Sequence, residues 1–301
     1  MSLNLPPDMC LLESQVAGHT IETTSQKYGM LRNLSGLYVF KPLSKPLYAE
    51  REIAFYKQIK EAPSDDELQQ FVPRYEGHYE FDIDGRKQLF IKMENLTCSM
   101  KKPCVIDIKI GRRTWDPLAT ANKITMEELK YAACKNTIGL CIPGFQIYNS
   151  ADSECMKYGK EFGKNLNPKS FADTLKMFLN AQNICYKPLI KTILNQLYGL
   201  QKWFTAQREV NFYSSSILIA YDYEALKLKL EEDLCASTTT NGAAGQRKKP
   251  KIDSDLNSWI KVKIIDFAHV FESEKKTCDA NYLFGLQNLI YMLQDILISN
   301  W

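Results

Sequence analysis

Over the first third of the chain, apolar and polar residues alternate in short runs separated by turn residues: Leu37 to Lys41 (LYVFK), Tyr75 to Phe81, and Gln88 to Glu94 (QLFIKME). Such alternation is the signature of strands with one buried face, and Asp84-Gly85 between the last two runs is a hairpin signal. A small antiparallel sheet is expected. Between these runs, Pro46 to Lys60 places Leu47, Ile53, Phe55, Tyr56 and Ile59 among Glu50, Arg51 and Glu52, a helical pattern with proline at its start.

From about residue 97 the pattern becomes mixed. Strands are predicted at Val105 to Ile110, Cys141 to Tyr148, Ser216 to Tyr221 and Trp259 to Ile265, and helices near 123–136, 168–181, 188–207 and 280–299. The helix near 188–207 is the clearest. Leu189, Ile190, Ile193, Leu194, Leu197, Leu200, Trp203 and Phe204 recur at three- and four-residue steps behind Pro188, which predicts a core helix. Residues 233–258 lose periodicity and gather Ser, Thr, Gly and charge, so they read as an exposed, mobile loop.

Composition narrows the function classes. With 301 residues, 45% of them hydrophobic, the chain can bury a core large enough for one large domain or two lobes. A formal net charge of +3 is too small for generic nucleic-acid binding, so any polyanion must be held locally. Nine cysteines without a C-x-x-C pair point to reduced thiols, and only three histidines (His19, His78 and His269) argue against a structural zinc site. No apolar run is long enough to cross a membrane, and MSLNLPPDMC lacks the pattern of a signal peptide; a soluble, non-secreted protein is expected.

Two stretches carry candidate chemistry. In Trp259 to Val270 (WIKVKIIDFAHV), Asp266 falls where a strand ends, a position from which a carboxylate can hold a divalent cation against nucleotide phosphates. Alone, an Asp-Phe pair reads as readily as a turn or a helix cap. In Pro103 to Gly111 (PCVIDIKIG), Val105, Asp107 and Lys109 share one face of a strand, while Ile106, Ile108 and Ile110 face the other way. The charged residues could form a simple ion pair at an exposed edge. Anchored by three isoleucines, they would instead be rigidly aimed.

These stretches resemble the signatures of the inositol polyphosphate kinase family. P-x-x-x-D-x-K-x-G at 103–111 is similar to the family's central motif, Asp266-Phe267-Ala268-His269 to its C-terminal metal motif, Ser214 to Leu218 (SSSIL) to its S-S-L-L strand, and Asp279 to Leu289 to its terminal helix. All four occur in the family's order. The resemblance implies an α+β, protein-kinase-like fold of two lobes: a small antiparallel-sheet lobe over residues 1–96, a larger mixed lobe over 97–301, and ATP in the cleft.

It also implies roles. Lys41 would hold ATP phosphates and Glu52 would position it; Glu94 to Leu96 would meet adenine; Asp107 would accept from ribose hydroxyls. Lys109 would contact the inositol substrate and the phosphoryl group in flight. Asp266 would bind Mg2+, helped by Ser215 or Ser216. Substrate phosphates would be held by the segment at about 112–140 through Arg112, Lys123 and Lys130, and by His269; Arg113 is a further basic residue there. Met126 and Glu127 stand where relatives often place glutamines, and Gln146 where they often place an arginine. H-R-D-L-x-x-x-N, A-P-E and G-x-G-x-x-G are absent, which argues against a protein kinase.

Within the family, SQVAGHT, KPCVIDIKIG, NFYSSSIL and IDFAHVF are most similar to the branch that phosphorylates several intermediates, taking inositol trisphosphate through tetrakisphosphate to pentakisphosphate. The resemblance also admits a phosphoinositide headgroup as acceptor. The competing readings are a hexakisphosphate kinase making pyrophosphates and, from another class, a non-catalytic transcriptional scaffold or phosphoinositide-binding module. Gln246 to Lys251 (QRKKPK) fits a nuclear-import signal, giving an expected residence in nucleus and cytoplasm with nuclear protein partners and no direct nucleic-acid contact.

Overall fold

The computed structural model describes residues 5–18, 29–43, 45–83, 85–149, 154–181, 185–238 and 259–299. The chain opens with β1 (Met9–Leu11), β2 (Leu31–Asn33) and β3 (Tyr38–Leu43), followed by α1 (Pro46–Glu61) and the long hairpin of β4 (Tyr75–Ile83) and β5 (Arg86–Glu94). The strands form one antiparallel sheet in the order β1-β2-β3-β5-β4. Three of them follow from alternation in the sequence. The three-residue strands β1 and β2 are too short to show a period. Gly85 takes φ of 76°, as a tight hairpin requires, while Asp84 of the expected turn lies outside the described residues. In α1, Pro46 starts the helix, and Ala49, Glu52, Ile53, Tyr56 and Ile59 form its buried face.

The rest of the chain comprises β6 (Pro103–Ile110), α2 (Ala121–Leu129), α3 (Ala132–Ile138), β7 (Leu140–Tyr148), β8 (Cys155–Tyr158), α4 (Lys160–Lys164), α5 (Pro168–Phe178) and α6 (Lys187–Ala206). Then come β9 (Val210–Phe212), β10 (Ser216–Asp222), α7 (Tyr223–Thr238), β11 (Ile260–Ile265), β12 (Val270–Glu272) and α8 (Ala280–Ile298). A second antiparallel sheet has the order β11-β10-β6-β7-β8, so β6 is its central strand and not an exposed edge. Ile106, Ile108 and Ile110 join the main core, where α8 packs on β6 and β7, α5 on β7, and α6 on β11. Val105, Asp107 and Lys109 consequently face the other side of the sheet.

Two expectations are corrected. The helix expected over 123–136 is two helices, because Tyr131 adopts φ of 55°, a left-handed conformation that interrupts the helical ladder. Residues 233–238 are not loop but the last turns of α7, which the charge-rich sequence EALKLKLEEDLC concealed; 239–258, including Gln246 to Lys251, lie outside the described residues.

The core is continuous from α1 to α8 through a ladder of rings. Phe55 stacks on Phe267 at 4.4 Å and meets Phe212 edge-on at 5.7 Å; Phe212 meets Phe204 at 5.1 Å, and Phe204 stacks on Tyr282 at 4.1 Å. Phe267 has no exposed surface. The residue just before it, Asp266, is therefore held at a fixed point between the two sheets.

Candidate active site

Three charges from distant parts of the chain meet at that point. Lys41 of β3 places Nζ 2.6 Å from Glu52 Oε1 of α1 and 2.5 Å from Asp266 Oδ1. Glu52 is almost fully buried, and the same Oε1 also accepts the Phe267 backbone N–H at 3.3 Å. A buried carboxylate without partners would be costly, and two donors satisfy this one. Burial opposes the charge on Lys41, but Asp266 and Glu52 outweigh it and raise its pKa. Burial likewise opposes charge on Asp266, where Lys41 and Lys109 prevail and hold its carboxyl below the usual range.

Asp266 itself has φ of 67°. Such backbone strain is tolerated where the surroundings over-determine it, and here they do: Ser215 Oγ donates to the Asp266 carbonyl at 2.7 Å while Phe267 is locked in the core. The turn directs the Asp266 side chain into a cavity of about 560 Å³ between the sheets. Lys41, Glu94, Leu96, Asp107 and Asp266 all line it, with Val39, Met93, Val105 and Leu218 supplying apolar wall. This mixture suits a flat apolar ring carrying an anionic tail.

Asp107 faces the cavity from the central strand. Burial, and then the charge of Asp266, push its carboxyl up to about 6. Ser216 lies beside it on the neighbouring strand and favours its charged form, although neither Asp107 Oδ1 nor Ser216 Oγ completes a hydrogen bond. Lys109 does not pair with Asp107, as its neighbouring position on the strand face suggested it could; its Nζ donates to the carbonyl and hydroxyl of Ser214, both at 2.8 Å. The described residues contain no group of three His, Cys, Asp or Glu able to cage a metal. One carboxylate, at Asp266, with buried serine hydroxyls beside it suits a cation that keeps most of its ligands from phosphate and water.

A second cluster is arranged around His269, three residues beyond Asp266. His269 Nδ1 is 2.5 Å from Asp116 Oδ2, Lys123 Nζ is 3.9 Å from the same oxygen, and Lys123 donates to the Tyr48 hydroxyl at 3.1 Å. Burial lowers the His269 pKa and Lys123 adds to the effect, against the opposing pull of Asp116. Lys130 lies elsewhere on the segment, paired with Glu127 at 2.7 Å, and Glu127 is held low by Lys130 and Thr114 against the cost of burial. Arg112 stacks on Phe284 at 3.7 Å. Sequence reasoning overlooked Asp116 and Tyr48. Asp116 precedes a proline in a polar segment and resembles an ordinary turn residue until His269 folds against it.

The N-terminal stretch 12–18 also lines the cavity and is anchored on both sides. Ser14 Oγ is 3.1 Å from Thr97 Oγ1, and Gln15 accepts from Met30 N–H at 2.8 Å. Val16 lies so close to Gly144 of β7 that a Cβ there would come within 1.9 Å of the Val16 carbonyl oxygen.

Comparison with known proteins agrees with these motifs. A family model described as "Inositol polyphosphate kinase" matches residues 90–294. The chain is 25% identical to inositol polyphosphate multikinase of Homo sapiens over 95% of this chain and 88% of that protein. It is 30% identical to inositol hexakisphosphate kinase 2 of Rattus norvegicus, over 69% of this chain and 51% of that one. Among solved structures, an inositol phosphate multikinase from S. cerevisiae, in complex with ADP and Mn2+, shares the fold with a TM-score of 0.64 and 24% identity, covering 87% of this chain and 99% of that one.

Proposed function

The chain belongs to the inositol polyphosphate kinase family, and from that premise we propose that it transfers the γ-phosphoryl group of ATP, with Mg2+, successively onto inositol trisphosphate and tetrakisphosphate to give pentakisphosphate. It is an ATP-dependent inositol phosphate kinase, and a divalent cation accompanies its nucleotide. The observation that carries the site reading is the meeting of Lys41, Glu52 and Asp266, with Lys41 and Asp266 lining a cavity that Asp107 also lines. The multikinase reading draws support from likeness that runs along 95% of the chain, against 69% for the hexakisphosphate kinase.

In this reading Lys41, positioned by Glu52, engages the phosphates of ATP, Asp107 accepts from the ribose hydroxyls, and Glu94 to Leu96 border the adenine. Asp266 and a serine hydroxyl, Ser215 or Ser216, hold the cation, which when bound neutralises charge on the phosphates. Phosphoryl transfer has a loose transition state, so alignment and charge stabilisation supply most of the catalysis. Lys109, released from Ser214, is the group on hand to follow the phosphoryl in flight. His269 and Lys123 meet the inositol phosphate; Lys130 and Arg112 would have to leave Glu127 and Phe284 to join them.

Among the described residues no helix is long and apolar enough to cross a membrane. A phosphoinositide headgroup is a further acceptor under this proposal, and work in both nucleus and cytoplasm is proposed from Gln246 to Lys251. The deciding experiment is incubation with Mg-ATP and a panel of inositol tris-, tetrakis-, pentakis- and hexakisphosphates, with anion-exchange separation and Asp266→Asn as control. Stepwise conversion to pentakisphosphate, lost in the variant, is expected. Pyrophosphate products from hexakisphosphate alone would assign it to the other branch, and no turnover would leave a scaffold or binding module.

A further inference from the structure

Asp116 is only 2% exposed, yet it sits in the irregular segment that leads into α2. Its Oδ1 accepts the Leu118 N–H at 2.9 Å, which is all that a turn-forming aspartate needs. Its second oxygen, Oδ2, is committed to a ring nitrogen 153 residues away, His269 Nδ1, at 2.5 Å. The imidazole is held from the other side as well: the Tyr48 ring of α1 meets it edge-on at 4.7 Å. Two separate elements thus converge on one histidine.

A carboxylate accepts but does not donate, so the shared proton sits on His269 Nδ1 and the lone pair on Nε2. Nε2 has no hydrogen-bond partner in the described structure, and the histidine lies close enough to Asp266 and Lys109 for their charges to be felt. We propose that Asp116 is a positioning residue for the acceptor: it fixes His269 as the Nδ1–H tautomer and leaves the Nε2 lone pair free to accept from a hydroxyl of the inositol phosphate. This rests on the reading that His269 contacts that substrate. Lys123 shares the arrangement, since its ammonium is tethered by the Tyr48 hydroxyl beside the same carboxylate.

The test has two arms. Long-range 1H–15N correlation spectra of the wild-type protein report which imidazole nitrogen of His269 carries the proton, with His269→Asn identifying the resonance; the Nδ1–H tautomer is expected. In steady-state kinetics, Asp116→Asn should lower kcat/KM for the inositol phosphate by about 10- to 100-fold, as loss of an orienting partner typically does, and leave the KM for ATP unchanged. An Nε2–H tautomer in the wild type would overturn the proposal even if Asp116→Asn did not fold. So would an Asp116→Asn enzyme with wild-type acceptor kinetics while His269→Asn is impaired, or one in which both KM values rise with a fallen melting temperature. Wild-type acceptor kinetics in His269→Asn would instead remove the underlying reading of the substrate side.

Discussion

Lys41 Nζ lies 2.5 Å from Asp266 Oδ1 although 225 residues separate them, and Glu52 completes the group at 2.6 Å from the same nitrogen. Lys41 therefore neutralises a buried glutamate and, under the proposed reading, also faces the nucleotide phosphates. Lys41→Met should reduce turnover by about 10²- to 10³-fold, the range for loss of one transition-state charge donor. It should also lower stability by about 3 kcal/mol, because Glu52 is left with only the Phe267 N–H. Kinase assay and urea unfolding of the same preparation check both; full stability with lost turnover would show that Glu52 is not dependent on the lysine.

The carboxyl of Asp107, pushed up to about 6 by burial and by Asp266, predicts a pH dependence. Between 3.8 and about 6 the folded protein holds more protons here than the unfolded chain, so this residue's contribution to stability is greatest below 3.8 and is lost as pH rises through 6. If Asp107 meets the ribose as proposed, nucleotide binding has the opposite sign, because only the charged carboxylate accepts well from ribose hydroxyls. Affinity for ATP, measured by calorimetry, should fall about tenfold from pH 8 to pH 5. In Asp107→Asn that dependence should vanish, and its survival would move the titration to another group.

How much of this the sequence disclosed depended on the range of the interaction. The strand carrying Asp107 was legible because Ile106, Ile108 and Ile110 mark one face by alternation, and α6 because its leucines and isoleucines keep step behind Pro188. Three-residue strands such as β1 and β2 have no period to read, and α7 has so weak an apolar stripe that no helix is legible there and residues 233–238 read as loop. The Asp116–His269 contact was invisible because nothing local to either residue announces it. Arg112 shows the converse: a basic residue in the expected place whose guanidinium packs on Phe284.

Gly144 tests the N-terminal wall of the cavity. An added methyl would collide with the Val16 carbonyl, which is backbone and cannot swing aside like a flexible side chain. Gly144→Ala should displace residues 12–18 at a cost of about 1–3 kcal/mol, the usual penalty for overpacking. Because that stretch lines the cavity, KM for ATP should rise about tenfold while kcat changes little, the signature of lost uniform binding. An unchanged KM would show that the stretch is not part of the nucleotide site.

Removal of divalent cations should separate a metal that builds the protein from one that arrives with substrate. The described residues offer no group of three His, Cys, Asp or Glu to cage an ion, and Asp266 already shares its carboxylate with Lys41. A chelator should therefore abolish turnover yet leave the melting temperature of the nucleotide-free protein unchanged. With ATP and Mg2+ at a hundredfold excess over Kd the folded state should gain about 2.7 kcal/mol, and chelation should withdraw the metal-dependent part of that gain. Asp266→Asn should show the reduced gain without any chelator, since the amide lacks the charge that draws the cation. If chelation instead destabilised the nucleotide-free protein, a protein-held metal would have to exist, and Asp266 would no longer be the residue that accounts for the requirement.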